Sequence, residues 1–252
     1  MAYPAAVADA LVAALGLDGS GRLLDVGCGP GSLTLLLAPY FTEAIGVDAD
    51  ADMLHEAARL AERQRVRDIS WRHLRAEDLP ADLSPVHVAT FAQSFHWMDR
   101  SRVAATVRRM LLPDGALVHV HAMTHQGIDP ETELPHPRPP RGAVDRLVQH
   151  YLGQQRRAGQ GVLPSGTPGE EDAVYLAAGF TGPQRLEVPG RTVERTTEEI
   201  VASVYSLSGS APHLFGDRLD SFDAQLREVL AVASADGRFS EQMRPIALDI
   251  WR

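Results

Sequence analysis

Residues 23–31 read Leu-Leu-Asp-Val-Gly-Cys-Gly-Pro-Gly: an apolar run, an acidic side chain near its end, then glycines at alternate positions. Leu33, Leu35, Leu36 and Leu37 follow, so the pattern predicts a strand that turns through glycines into a helix. Glycine accepts left-handed dihedrals and has no Cβ, which lets backbone come close to a ligand at a helix start. This chemistry suits a nucleoside compound, and spacing narrows which one. A dinucleotide fingerprint is G-x-G-x-x-G, but its third glycine would stand at Ser32 or, one frame on, at Thr34. A phosphate-binding loop needs a lysine, and all 24 basic residues of this chain are arginine.

Three further segments carry candidate chemistry. Ile45-Gly-Val-Asp48 is a short apolar run ending in a carboxylate about twenty residues after the first glycine, where a βαβ nucleotide site places its ribose-binding acid. Asp48 could instead cap a helix, but Asp50 and Asp52 are better placed to cap the one carrying Met53, Leu54, Ala57, Ala58 and Ala61. Arg75-Ala-Glu-Asp-Leu-Pro80 follows a strand-like stretch. Val86-His-Val-Ala-Thr-Phe-Ala-Gln-Ser-Phe-His-Trp-Met-Asp99 has a buried-strand composition that breaks into an aromatic cluster.

The order acidic-x-Gly-x-Gly-x-Gly resembles motif I of the class I S-adenosyl-L-methionine (SAM)-dependent methyltransferases. The Phe-His-Trp after the fourth strand is similar to a small-molecule subset that includes trans-aconitate and ubiquinone-biosynthesis methyltransferases. SAM carries a sulfonium cation and an amino group but no phosphate, so acidic partners are an advantage. The resemblance implies that Asp25 faces the amino-acid part of the cofactor, directly or through water, while Gly27, Cys28, Gly29 and Gly31 pass beneath it. It places Asp48 and Ala49 at the ribose, Met53 against the adenine, Ala76 and Glu77 at the adenine edge, and Ala92, Gln93 and Ser94 along the methionine portion. Arg75 stands where the commonest form of the motif has an acid. The resemblance also puts His96 and Trp97 in the reaction chamber. His96 is either a general base or a histidine satisfied by backbone.

Stepping along the chain, strands are expected near 22–26, 43–48, 69–74, 86–92 and 116–121 with helices between them, an order that implies a parallel sheet covered on both faces. Ligands bind outside the carboxyl ends of such strands, where all four segments lie. Residues 122–143 are crowded with proline and should form a loop over the site. Helices are expected over about 143–157, 197–207 and 217–233, a sixth strand from Ala178 through Val188, and a last strand over 244–251. The fold class is therefore α/β: a Rossmann-like, mostly parallel sheet whose seven strands end, by the resemblance, in an antiparallel edge hairpin, with a helical substrate cover. One domain over 1–252 is expected, with 1–121 as the cofactor half and 122–175 and 190–236 as cover insertions. Relatives usually carry a further segment ahead of the Tyr-Pro at Tyr3-Pro4, so either the lid comes from elsewhere or the start is incomplete.

Composition limits the partners. A formal charge of −9 repels phosphate backbones, so a nucleic-acid partner would need a local basic patch. Arg138, Arg141, Arg156 and Arg157 are the candidates, read as a solvated face or as capture of a small anion. No apolar run approaches the ~20 residues of a membrane span, no signal peptide is visible, and the single cysteine fits a cytoplasmic protein. Cys28 fills a position in the turn that needs a small residue, and without lysine there is no Schiff-base chemistry. His119 and His121 alternate on one strand face, with His125 soon after, but no metal spacing completes the set. His121 and His125 are expected to line the substrate chamber and His119 to be structural. Methyl transfer from a sulfonium needs alignment and exclusion of water more than a base. The expected reaction is transfer to oxygen of a small carboxylate, phenol or alcohol, with His96 and His121 as candidate bases. Carbon or nitrogen methylation, and a catalytically silent SAM-binding protein, are the alternatives.

Overall fold

The computed structural model describes residues 3–122, 126–129, 132–153, 157–158, 161–162 and 171–252. The helices are α1 (Ala5–Leu15), α2 (Ser32–Leu37), α3 (Ala51–Gln64), α4 (Arg100–Met110), α5 (Arg141–Leu152), α6 (Glu171–Ala177), α7 (Thr197–Tyr205) and α8 (Leu219–Ala233). The strands are β1 (Arg22–Val26), β2 (Glu43–Asp48), β3 (Ile69–His73), β4 (Val86–Ala92), β5 (Leu111–His121), the short pair β6 (Arg157–Ala158) and β7 (Gly161–Val162), β8 (Gln184–Val188), β9 (Thr192–Thr196), β10 (Arg238–Gln242) and β11 (Ile246–Trp251). They fall into two compact units, one of residues 2–122, 167–189 and 245–252, the other mainly of 123–166 and 190–244.

The first unit is a seven-stranded sheet in the order β3-β2-β1-β4-β5-β11-β8. Strands β3, β2, β1, β4 and β5 pair in parallel, and β11 runs antiparallel to both β5 and β8. Strands such as Arg22-Leu-Leu-Asp-Val26 are buried on both faces, which a parallel sheet between helices requires. On one face Val7 and Leu11 of α1 and Leu33 and Leu37 of α2 cover Leu23, Val118, Val120 and Leu248. On the other, Val103 and Val107 of α4 and Tyr175 of α6 cover Leu24, Val26, Phe91, Leu117 and Trp251. Two expectations change here. The fifth strand begins at Leu111, with Pro113-Asp-Gly115 absorbed as an irregularity between the pairs Val86↔Leu111 and Val88↔Ala116. Residues Ala178 to Phe180 do not open the sixth strand. They end α6: Gly179 sits at φ +88°, and the Phe180 N–H reaches back to the Tyr175 carbonyl at 3.0 Å, the long bond of a glycine-terminated helix.

In the second unit α5, α7 and α8 bury Val144, Tyr151, Ile200, Val204, Phe222, Leu226 and Leu230, together with Phe239 of β10. Helix α5 starts on Pro140 and stops at Gly153, earlier than its apolar period suggested. The antiparallel pair β9–β10 was not expected from sequence. Its Glu241 is buried between two guanidiniums, Arg141 binding both oxygens (3.1 and 2.7 Å) and Arg195 lying 3.0 Å away. Burial works against that charge, but the Arg141 hydrogen bonds and field hold the Glu241 carboxyl below its ordinary range.

Candidate functional site

The glycine turn leaves β1 at Val26 with Gly27, Gly29 and Gly31 at φ +69°, +53° and +75°. The N–H groups of Gly27 and Cys28 both donate to the Val47 carbonyl, at 2.8 and 3.0 Å, which laces the turn to the end of β2. Asp48 completes the lacing: Oδ2 accepts from the Gly29 N–H at 2.8 Å and Oδ1 from the Asp50 N–H at 2.9 Å. Each oxygen keeps a further lone pair that a sugar diol can use. The three glycines are not equivalent. A Cβ on Gly27 would lie 2.4 Å from Cβ of Ser94, one on Gly31 2.6 Å from the Trp71 ring, and one on Gly29 would meet nothing within 4 Å. Gly27 and Gly31 therefore serve packing, while Gly29 leaves its backbone facing clear space beside a carboxylate, which fits a nucleoside ligand.

Asp25 lies deeper. At 1% exposure it accepts from the Thr34 hydroxyl at 2.6 Å and the Thr90 hydroxyl at 2.7 Å, one on each oxygen. Burial raises its pKa and the two hydroxyl donors oppose the rise. Its carboxyl is thus a fixed group within the sheet, below the turn. Burial and the two aspartates push the Cys28 thiol well up, which removes the thiolate a nucleophile would need.

Around this core the other predicted residues follow the strand ends. Met53 stands exposed in the first turn of α3, whose N-terminus Asp50 caps through the N–H groups of Asp52 and Met53 (2.9 and 3.3 Å). The Ala49 carbonyl accepts from Nε2 of His73 at 3.1 Å. Ala76 is buried in a short turn, where Glu77 accepts from the Asp99 N–H at 2.9 Å and lies 3.5 Å from Arg75. Burial opposes the Glu77 charge, yet the Asp99 N–H and Arg75 hold its carboxyl below the usual range. The unexpected Arg75 is therefore a partner of Glu77. At the end of β4, Ala92 leads to Gln93 at φ +59°, an uncommon conformation for a side chain, and the Ser94 hydroxyl donates to the Val26 carbonyl at 2.6 Å. This bond ties the end of β4 to the end of β1.

His96 packs half-buried against exposed Trp97, ring centroids 4.5 Å apart, and burial lowers its pKa while Glu171 works the other way. His121 is the last residue of β5, and its Nε2 lies 2.9 Å from Oδ2 of Asp249. His119 is buried and bonded to the Tyr175 hydroxyl at 2.8 Å, a structural setting as expected. His125 lies outside the described residues. Sequence reasoning missed Thr34, Thr90, Asp249, Arg185 and Tyr175. Only Thr90 gave a signal, as a polar residue at an inward position of an apolar strand. Among the described residues no group of His, Cys, Asp and Glu could hold a metal ion, and no helix is long and apolar enough to cross a membrane.

A family profile described as methyltransferase domain matches residues 23–115. An uncharacterized methyltransferase of Mycobacterium bovis is 34% identical over 66% of this chain and 56% of its own length. The trans-aconitate 2-methyltransferase of Azoarcus sp. is 33% identical over 42% of this chain and 41% of its own. The chain spans about half the length of these curated relatives. The crystal structure of the YcgJ protein of Bacillus subtilis superposes with a TM-score of 0.55 at 19% identity, covering 97% of both chains, which shows the shared fold. Motif, strand order and matches agree: residues 23–115 match a methyltransferase domain, and the chain is similar to class I SAM-dependent methyltransferases in its glycine motif and sheet order.

Proposed function

We propose that this protein is a SAM-dependent methyltransferase that transfers a methyl group to oxygen of a small-molecule carboxylate, phenol or alcohol, acting in the cytoplasm. The observation that carries the reading is the turn at Gly29, whose backbone faces clear space while Asp48 both holds it and keeps lone pairs for a ribose. In this reading Gly27, Cys28, Gly29 and Gly31 lie beneath the cofactor and Asp48 with Ala49 takes the sugar. Met53, Ala76 and Glu77 enclose the adenine. Ala92, Gln93 and Ser94 run along the methionine portion, with the Asp25 carboxyl below, fixed by Thr34 and Thr90. When bound, SAM supplies an activated methyl on a sulfonium, and S-adenosyl-L-homocysteine is left. The chain's part is to align the acceptor and exclude water, His96 and His121 being the candidate bases and Trp97 part of the chamber wall. Trp97 offers an aromatic face that tolerates a cation. The likeness to a trans-aconitate methyltransferase supports a small acid or a similarly sized acceptor.

Calorimetric titration with SAM and with nicotinamide dinucleotides tests the cofactor, and saturable binding of SAM alone is expected. A labelled-methyl assay over small acids, phenols and alcohols then tests turnover. Binding without transfer to any of them would point to the silent binding protein instead.

A further inference from the structure

At the carboxyl end of β5 four side chains from three strands form one construction. Asp249 on β11 is fully buried, and the Arg185 guanidinium on β8 closes on it with two bonds, Nε to Oδ1 and Nη2 to Oδ2, both 2.6 Å. The remaining side of Oδ2 meets Nε2 of His121 at 2.9 Å. Burial opposes a charge on Asp249, but Arg185 and His121 hold its carboxyl below the ordinary range. An ionised carboxylate can only accept, so the hydrogen is on Nε2 of His121 and the neutral ring keeps its lone pair on Nδ1. The neighbouring histidine fixes the plane. The His119 ring lies parallel to that of His121, at 9° and 4.3 Å between centroids, and is itself bonded to Tyr175, which stacks on Phe95 at 4.9 Å. Desolvation pushes the His119 pKa down to about 3, so it stays an uncharged plate and does not compete for a proton. The charged or titratable groups around the pair are Asp249 on β11, Arg185 on β8, His119 on the same strand, Tyr175, Glu171 and Asp172 on α6, and His96 after β4.

We propose that Asp249, clamped by Arg185, is a positioning residue that presents Nδ1 of His121 as a general base, and that the methyl acceptor is therefore a phenol, enol or alcohol O–H and not a carboxylate. The inference rests on the methyltransferase reading above. A carboxylate acceptor has already lost its proton at neutral pH and would give this construction nothing to do. With an O–H acceptor, the acceptor oxygen forms the new bond to the methyl carbon, the sulfur of SAM keeps the electron pair of the broken C–S bond, and the hydroxyl proton passes to Nδ1. The resulting imidazolium is balanced by Asp249, and 39% exposure of the His121 side chain lets the proton leave to water afterwards.

Nitrogen-15 labelling of the histidines reads the tautomer by long-range proton–nitrogen NMR, without any acceptor, and His121→Gln assigns the ring. Wild-type His121 in its neutral form should carry its proton on Nε2, and Asp249→Asn should lose that single tautomer. A wild-type ring protonated on Nδ1, or mixed, overturns the inference even if Asp249→Asn fails to fold. In the labelled-methyl assay His121→Ala and Asp249→Asn should each lower kcat on an O–H acceptor by about 100-fold or more with little change in KM for SAM. Carboxylic acids methylated at rates that His121→Ala leaves alone would also overturn it. A wild-type protein that does not bind SAM fails the methyltransferase reading itself, and calorimetry separates that result from the tautomer.

Discussion

Gly27 and Gly29 both need left-handed backbone, yet their surroundings predict opposite outcomes for the same substitution. Alanine at position 29 costs about 1–2 kcal/mol for its dihedrals and touches no protein atom within 4 Å, so Gly29→Ala should fold while its methyl occupies the space assigned to the cofactor. Alanine at position 27 must displace Ser94 and with it the bond to Val26. Gly27→Ala should therefore lower both the urea midpoint and SAM affinity, Gly29→Ala chiefly the affinity. Equal loss of affinity and stability at position 29 would show that its open face serves no ligand. The turn was legible because its chemistry is local: motif, strand and helix adjoin within residues 23–37. The His121–Asp249 bond joins residues 128 positions apart, and neither type nor spacing marks such a pair before the strands are in register. Asp25 was legible as an acid at a strand end, but its two threonine donors come from α2 and β4 and so from tertiary placement.

Elements divide the same way. Strands β1, β2 and β4 fell where apolar runs put them, since strands buried on both faces must be almost continuously apolar, whereas β3, Ile-Ser-Trp-Arg-His, is an edge strand with no buried residue. β9, Thr-Val-Glu-Arg-Thr, and β10, Arg-Phe-Ser-Glu-Gln, lack that composition, because besides Phe239 they bury an ion cluster around Glu241. That cluster sets a pH dependence. The Glu241 carboxyl is held below its ordinary value when folded, so its contribution is present above the unfolded pKa of about 4.3 and is lost as pH falls through the lower, folded value. Urea unfolding of the wild type from pH 6 downward should show this loss below about pH 4–5, and Glu241→Gln should remove that part of the slope. At pH 7 the same variant leaves Arg141 and Arg195 without their shared carboxylate and should cost about 3–5 kcal/mol. Helices α5 and α8 also pack through apolar contact. Phe222 stacks on Phe215 at 4.1 Å and meets Tyr151 at 5.4 Å, so Phe222→Ala should cost about 3–5 kcal/mol in the same assay. A loss under 1 kcal/mol would mean that the site collapses on itself more fully than close packing allows.

At the scale of the whole chain the question is which charged partner the field admits. With 33 acidic and 24 basic residues the formal charge is −9, favourable to a sulfonium and adverse to phosphates. Two of the arginines that might have made a basic patch are engaged, Arg138 with Asp129 and Arg141 with Glu241. No retardation of a duplex or single-stranded oligonucleotide is therefore expected even at low salt, where such binding is strongest. SAM, by contrast, should act on global stability. A ligand bound only by the folded state stabilises by RT ln(1 + [L]/Kd), about 2.7 kcal/mol at a hundredfold excess over Kd, and in a chain of this size each kcal/mol raises the midpoint by about 2–4 °C. Thermal unfolding with SAM at that excess should thus move up by roughly 5–10 °C, with S-adenosyl-L-homocysteine in the same direction. Nicotinamide dinucleotides should leave the midpoint where it was, because Ser32 and Thr34 stand where their glycine would be needed. A rise with the dinucleotide and none with SAM would reverse the assignment of the pocket, since both compounds bring an adenosine and only the groups beyond it differ.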